Sequence, residues 1–137
     1  MSEFQDFLLE DFAEAESVER MIKLAGKERK MIFKPITASV ADEIRKSCRK
    51  VTYLKGQKTV TTDQDAYLLK IIIETTVSPC FKSKALQDAW GVLGAENLLQ
   101  AMKTKMLDGE YAELCEIVTE LNGYGKSMNE LVEDAKN

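Results

Sequence analysis

Apolar residues follow two different periods along the chain, and the change of period separates a pair of strands from a series of helices. Between residues 18 and 36 they alternate with polar residues: Val18, Ile22 and Leu24 share one parity, and Met31 and Phe33 share another. This alternation predicts two antiparallel strands, 18–24 and 29–36, joined by a turn at 25–28. Pro35 lacks the backbone donor that a strand interior uses, so the second strand is expected to end there or to lie at an edge.

From residue 37 onward the apolar residues recur every three or four positions, which predicts helices. The helix at 62–77 is apolar on more than one face, so we expect it to be buried on most sides. Residues 52–61 are either a small hairpin or a mobile loop. The other predicted stripes are Val40, Ile44, Cys48 and Val51; Leu86, Ala89, Trp90 and Leu93; Ala95, Leu98, Leu99 and Met102; and Leu107, Tyr111, Leu114, Val118 and Leu121. The predicted fold class is α+β, mostly helical, with a small antiparallel β-hairpin sheet early in the chain packed with about five helices.

Several polar motifs have both a structural and a chemical interpretation. Asp63 and Asp65 are able to bind magnesium, but an acidic first turn behind a Thr62 cap is the favoured interpretation. Residues 91–94 (GVLG) have the form of a nucleotide-clamping KH loop, yet a corner between two helices fits their helical surroundings better. Ser39 with Asp42 resembles a capping pair, and Asn122 with Gly123 a helix C-terminus. Four glutamates at helical spacing are expected to face water: Glu110, Glu113, Glu116 and Glu120.

The residue types in the chain exclude much of enzyme chemistry. There is no histidine among the 137 residues, which removes Ser-His-Asp triads, Cys-His pairs and zinc sites that use imidazole. The three cysteines, Cys48, Cys80 and Cys115, are widely spaced and odd in number, so we expect reduced, structural thiols. No catalytic, cofactor-binding or metal-binding residue is predicted, and the chain is predicted not to be an enzyme.

Apolar stripes also lie at both ends of the chain. Phe4, Phe7, Leu8 and Phe12 have the spacing of a short amphipathic helix, and Met128, Leu131 and Val132 form a similar stripe. Such terminal helices dock onto partner proteins or fold back onto their own core, and these seven residues are the candidate partner-binding set. Trp90 and Tyr111 are large enough to anchor an interface, but their stripes favour core packing. We expect one domain over 1–137, with an amphipathic segment at 1–17, a folded body at 18–123 and a C-terminal segment at 124–137, either mobile or ordered.

Charge is distributed in blocks, although the net charge is only −4. Residues 1–17 hold six acids and no base, residues 18–58 carry a balance of +8, and residues 59–137 carry −6. A basic patch at Arg45, Lys46, Arg49 and Lys50 makes segment 45–58 the best candidate for binding nucleic acid. The sequence pI near 5.0 argues against that role, because nucleic-acid-binding domains are usually basic overall. Contact with acidic segments, within the chain or on neighbouring subunits, is the competing interpretation.

Three stretches of the chain resemble the XkdN-like tail assembly chaperones of PBSX-type prophages and related tailed phages. They are 86–96 (LQDAWGVLGAE) leading into Leu98 and Leu99, 106–114 (MLDGEYAEL) and 121–124 (LNGY). Weaker similarity, at 33–37 (FKPIT), at Tyr67 and Leu68 and at the opening Phe4-x-x-Phe7-Leu8, extends the resemblance over nearly the whole chain. The chain departs from the family in a longer link at 103–105 and in Asp108, where proline or alanine is commoner.

The resemblance implies a non-catalytic role in building a phage tail. Chaperones of this family coat the long helical tape measure protein, keep it soluble and help to recruit tail tube subunits, and they are lost from the mature particle. The expected partners are therefore the tape measure protein and the tail tube protein, with self-association or a longer frameshifted form as further options. No membrane partner is expected, because no apolar run spans a bilayer and the acidic N-terminus does not resemble an export signal. The expected location is the cytoplasm of the bacterial host. A small nucleic-acid-binding or regulatory protein is the alternative.

Overall fold

The computed structural model describes residues 4–124, and this part of the chain contains five α-helices and five strands. The strands are β1 Val18–Leu24, β2 Lys27–Phe33, β3 Arg49–Leu54, β4 Gln57–Thr62 and β5 Thr76–Ser78. The helices are α1 Ala38–Ser47, α2 Gln64–Thr75, α3 Lys84–Ala89, α4 Ala95–Lys103 and α5 Asp108–Leu121. Two single turns of 3-10 helix, Gln5–Phe7 and Leu9–Asp11, precede β1. The predicted α+β class is confirmed.

β1 and β2 form the predicted antiparallel hairpin, and β5 adds a third strand beside β2. The turn consists of Ala25 and Gly26 alone, both with positive φ, as a two-residue turn that matches the twist of the strands requires. β2 starts two residues earlier than predicted, because the turn is two residues shorter. It ends at Phe33, two residues before Pro35, and it is the central strand of the sheet rather than an edge strand. Of the five residues that carry the predicted alternation, Val18 is half-buried and the other four are buried: Ile22, Leu24, Met31 and Phe33. β5 is a difference from the prediction, in which the helix at 62–77 includes Thr76 and Val77.

α2 lies at the centre of the core and contacts α1, α4, α5 and β5. The prediction that this helix is buried on most sides is confirmed: Tyr67, Leu68, Leu69, Ile71, Ile72 and Ile73 are all buried. Its ends differ from the prediction. Asp63, rather than Thr62, caps its N-terminus by accepting the backbone N–H of Ala66 at 3.2 Å. The helix ends at Thr75, where the chain turns to pair with β2.

The N-cap of α1 lies two residues before the predicted cap Ser39. Thr37 is its N-cap, with its hydroxyl accepting the backbone N–H of Val40 at 3.3 Å, so the assignment of Ser39 and Asp42 as the cap is wrong. Thr37 has the extended backbone that an N-cap requires. The helix ends at Ser47, which leaves Val51 on β3 as an exposed residue rather than the last member of the helical stripe.

The corner between α3 and α4 is confirmed, but the apolar stripe predicted for α3 is wrong. Gly91 and Gly94 both have positive φ and break the helical backbone there. Gln87 is buried instead, because its amide joins two backbone groups: Nε2 donates to the Phe81 carbonyl at 2.9 Å, and Oε1 accepts the Gly94 N–H at 3.0 Å. Three members of the predicted stripe are exposed: Ala89, Trp90 and Leu93.

α5 packs its predicted apolar face into the core and ends at Asn122 and Gly123 as expected. The predicted residues Tyr111, Leu114 and Val118 are buried, whereas Leu107 precedes the helix and is exposed. Asn122 does more than end the helix. Its Oδ1 accepts the Ile36 N–H at 2.8 Å, and its Nδ2 donates to the Thr75 hydroxyl at 2.9 Å. These two bonds tie α5 to the segment before α1 and to the end of α2.

Glu110 is buried, so the prediction that all four glutamates face water is wrong for this residue. Its carboxylate accepts three backbone N–H groups, from Ala25 at 2.8 Å, Gly26 at 3.1 Å and Leu107 at 2.8 Å. The Leu107 N–H, together with those of Gly26 and Ala25, holds the pKa of this carboxyl below its ordinary value against the opposing effect of burial. Glu110 thus fixes the turn of the first hairpin to the start of α5.

The three cysteines are free thiols with different surroundings. Cys48 and Cys115 are buried among apolar neighbours, which confirms their structural role. Burial raises the pKa of the Cys115 thiol to about 11. Cys80 is exposed, so it does not share that packing role.

Candidate partner-binding surfaces

The first surface is the N-terminal segment, residues 4–12. Its apolar side chains are all exposed: Phe4, Phe7, Leu8, Leu9 and Phe12. The predicted amphipathic α-helix is wrong, because Leu8 has an extended backbone that separates the two 3-10 turns. A segment this short does not hold an α-helix in water without packing. The most exposed apolar residue, Leu9 at 91%, was missed because helical periodicity placed it off the apolar face.

The N-terminal segment carries Asp6, Glu10 and Asp11 among its apolar residues. The chain then reaches Glu14, whose carboxylate lies 3.5 Å from the ammonium group of Lys34 just after β2. The other predicted terminal residues, Met128, Leu131 and Val132, lie outside the described residues. The candidate partner-binding residues that can be placed are therefore those of the N-terminal segment.

The second surface is the arm, the hairpin of β3 and β4 at residues 49–62. Of the two interpretations of residues 52–61, the hairpin is correct. Every residue from Arg49 to Thr61 is exposed. Val51 lies opposite Val60 and Tyr53 opposite Lys58, so one face of the arm presents Val51, Tyr53 and Val60 to solvent. An isolated two-stranded hairpin is only marginally stable in water, which makes an exposed apolar face of this kind suited to packing against a partner.

The predicted basic patch is divided between α1 and the arm. Arg45 donates to the Asp42 carboxylate at 2.8 Å and to the Tyr67 hydroxyl at 2.9 Å, and Lys46 pairs with Glu43. On the arm, Lys50 pairs with Asp63 at 3.3 Å, while Arg49 points to the opposite face because successive strand residues alternate. The structure therefore does not present these four cations as one surface for phosphates, and acids already pair with three of them.

The third surface is the cleft, a cavity of about 360 Å³ that is open to solvent. It lies between the first hairpin, the end of β5 with the residue that follows it, α3 and the end of α4. Its lining residues are Leu24, Ala25, Arg29, Lys30, Met31, Ser78, Pro79, Leu86, Trp90, Met102, Lys105 and Met106. The interior is mainly apolar, Arg29, Lys30 and Lys105 contribute positive charge, and none of these described lining residues is acidic. The prediction that Trp90 packs in the core is wrong, since 38% of it is exposed, whereas Tyr111 is buried as predicted.

Two buried polar side chains position the walls of the cleft. Glu110 holds the turn that carries Ala25, and Gln87 holds the corner that follows Trp90. The cleft has no local signature in the sequence, because its lining comes from five separate elements: β1, β2, β5, α3 and α4. The feature of the sequence that points to a binding surface is its methionines, because their flexible side chains are common at such surfaces. Three of them line the cleft: Met31, Met102 and Met106.

The described residues were also searched for metal and membrane sites. In residues 4–124 no group of three or more His, Cys, Asp or Glu side chains is placed to hold a metal ion. Asp63, one of the two magnesium candidates, instead caps α2 and pairs with Lys50; the Ala66 N–H and the Lys50 ammonium hold its pKa below the ordinary value. Within the same range no helix is long and apolar enough to cross a membrane.

Comparison with known proteins defines the class. Residues 4–136 match the family model of the phage XkdN-like tail assembly chaperone protein. The chain is 32% identical to the phage-like element PBSX protein XkdN of Bacillus subtilis (strain 168) over 119 residues, covering 86% of this chain and 79% of that protein. The chain therefore belongs to the XkdN-like family of phage tail assembly chaperones, and the resemblance seen in its sequence is confirmed.

A second protein of the same organism, the uncharacterized protein YqbN, is 33% identical over 130 residues, covering 90% of this chain and 86% of its own length. The crystal structure of the protein YqbN superimposes with a TM-score of 0.67 at 26% identity, over 91% of this chain and 99% of that one. The α+β fold described above is therefore shared with a solved structure along nearly its whole length.

Proposed function

We propose that this chain binds the tape measure protein of its phage or prophage and helps to recruit tail tube subunits around it. The role is one of binding without catalysis, carried out in the cytoplasm of the bacterial host and ended before the virion is complete. Membership of the tail assembly chaperone family supports it. The structural observation that carries it is the separation of exposed apolar side chains into three surfaces, because a chaperone that coats a long client needs several modest contacts.

The arm is the surface that we assign to the tape measure protein. Val51, Tyr53 and Val60 lie on one face of a two-stranded sheet, and a helix that packs on this face would supply the second layer that the arm lacks. Burying each of these side chains contributes about 1.5–3 kcal/mol before the cost of ordering is subtracted. The tape measure protein is expected to be a long helical protein, which is the partner that this geometry accommodates.

Co-expression with the tape measure protein, followed by affinity capture, tests the assignment. A Val51→Ser/Tyr53→Ser variant should lower the amount captured by at least tenfold at unchanged melting temperature, because both side chains are exposed in the free protein. Leu54→Ser is the matched control, since Leu54 is equally exposed but on the opposite face of β3. Equal capture by wild type and the double variant would contradict the assignment, as would an equal loss in the control.

A further inference from the structure

We propose that the N-terminal segment of one copy docks into the cleft of a second copy. The proposal rests on the chaperone function, since a coat along a client needs contacts between copies. It concerns surfaces other than the arm, however, and is tested without the tape measure protein. The occupant of the cleft is thus an acidic, aromatic peptide that the chain itself carries.

Apolar complementarity is the first argument. Phe7, Leu9 and Phe12 project from the N-terminal segment with most of their surface in water. The cleft offers a concave apolar receptor for such side chains, with Trp90 at its edge and the half-buried Met102 and Met106 in its lining. Its volume falls within the range of about 300–1,000 Å³ found for pockets that enclose small ligands. Methionine side chains adapt their shape to the group that they contact.

Charge complementarity is the second argument. Residues 1–17 hold six acids and no base. The cleft lining holds three bases, Arg29, Lys30 and Lys105, and no acid, although the Lys30 ammonium group also lies 3.4 Å from the Glu19 carboxylate on β1. When a phenylalanine of the segment enters the cleft, the neighbouring carboxylates come within a Debye length of these cations, about 8 Å at physiological salt. The apolar contacts and the charges therefore favour the same pairing.

The described segment does not occupy the cleft of its own molecule. Phe7, Leu9 and Phe12 remain exposed in the structure, and none of them is among the residues that line the cleft. The cleft of each copy therefore remains accessible to the segment of a second copy. Because the two surfaces that meet are different, each contact leaves another segment and another cleft available, so the arrangement can repeat along a client.

Sedimentation of the full chain over a range of concentrations, with the fluorescence of Trp90, tests the proposal. Trp90 is the single tryptophan of the chain and lines the cleft, so its emission should shift to shorter wavelength as association proceeds. We expect the mass to rise above that of the monomer with concentration. A Phe7→Ser/Phe12→Ser variant and a Lys30→Glu/Lys105→Glu variant should each associate at least tenfold more weakly.

Mixing these two variants is the decisive experiment. The first retains an intact cleft and the second an intact segment, so together they should form a 1:1 complex that does not grow further. Lys55→Glu/Lys58→Glu, with the same change of charge placed on the arm, is the matched control and should associate like wild type.

The proposal is overturned if wild type stays monomeric at all concentrations or if the mixed variants do not combine. It is also overturned if Trp90 is shielded independently of concentration, which would mean docking within one copy. Stronger weakening by the arm variant than by the cleft variant would identify the arm as the receptor. The Val51→Ser/Tyr53→Ser variant should self-associate normally, so failure of this proposal and failure of tape measure binding are separate results.

Discussion

Replacing Gln87 tests how the cleft is built, because two backbone groups have their hydrogen-bond partner in this single side chain. Replacing it with alanine removes the donor to the Phe81 carbonyl and the acceptor of the Gly94 N–H. A lost hydrogen bond costs about 1 kcal/mol where water can replace the missing partner, and about 1–3 kcal/mol where the remaining group stays buried. Because Gln87 is buried but the corner at Gly94 is partly accessible to water, we expect the free energy of unfolding to fall by about 2–4 kcal/mol.

Urea denaturation followed by circular dichroism measures this change. Gln100→Ala is the matched control, since Gln100 lies exposed on α4 and the same atoms are removed there; its effect should stay within about 0.5 kcal/mol. The fluorescence emission of Trp90 should change in the Gln87→Ala variant under native conditions. The corner that follows Trp90 is no longer held there by the hydrogen bonds of the Gln87 amide. A loss below about 0.5 kcal/mol for Gln87→Ala, or equal losses in the two variants, would mean that the Gln87 side chain does not stabilise the corner.

Three further predictions concern charge and thiols. Because the pKa of Glu110 is lowered in the folded state, its ionised carboxylate adds to the free energy of unfolding at pH values above the ordinary glutamate pKa of about 4.3. This contribution is lost as the pH falls through the lowered pKa. The urea midpoint should therefore fall less steeply from pH 5 to pH 3 in Glu110→Gln than in wild type. Of the three thiols, Cys80 alone should react with a maleimide under native conditions, and rapid labelling of Cys48 or Cys115 would contradict their burial. Binding to a defined DNA duplex at physiological salt should be weak and unspecific by fluorescence anisotropy, and submicromolar affinity would restore the nucleic-acid alternative.

Elements whose apolar residues keep one clear period could be predicted from the sequence. The alternation around Ile22 and Phe33 predicts the first hairpin, and the runs through α2 and α5 predict two buried helices, because burial of one face leaves a regular trace in the chain. Helix ends were less predictable. Thr37 and Asp63 displaced Ser39 and Thr62 as caps, since the choice depends on the backbone just before the helix.

The candidate site was less predictable for a physical reason. Glu110 is paired with the N–H groups of Ala25 and Gly26, about 85 positions away, and no local pattern distinguishes it from a glutamate that faces water. Trp90 fits a helical stripe in sequence, but α3 ends one residue before it and leaves it at the edge of the cleft. Residues 4–12 have helical spacing without the packing that would sustain a helix. Sequence spacing gives the residue types of an interface, whereas tertiary contacts decide which of them stay exposed.

The mass of the complex with the tape measure protein tests whether this chain is its chaperone. Both proteins are co-expressed, the complex is captured through a tag on the tape measure protein, and its composition is measured by light scattering and native mass spectrometry. We expect the tape measure protein to be soluble only together with this chain, and one tape measure protein to carry several copies. A tape measure protein that is purified soluble without this chain, or that emerges free of it after co-expression, would mean that this chain is not its chaperone.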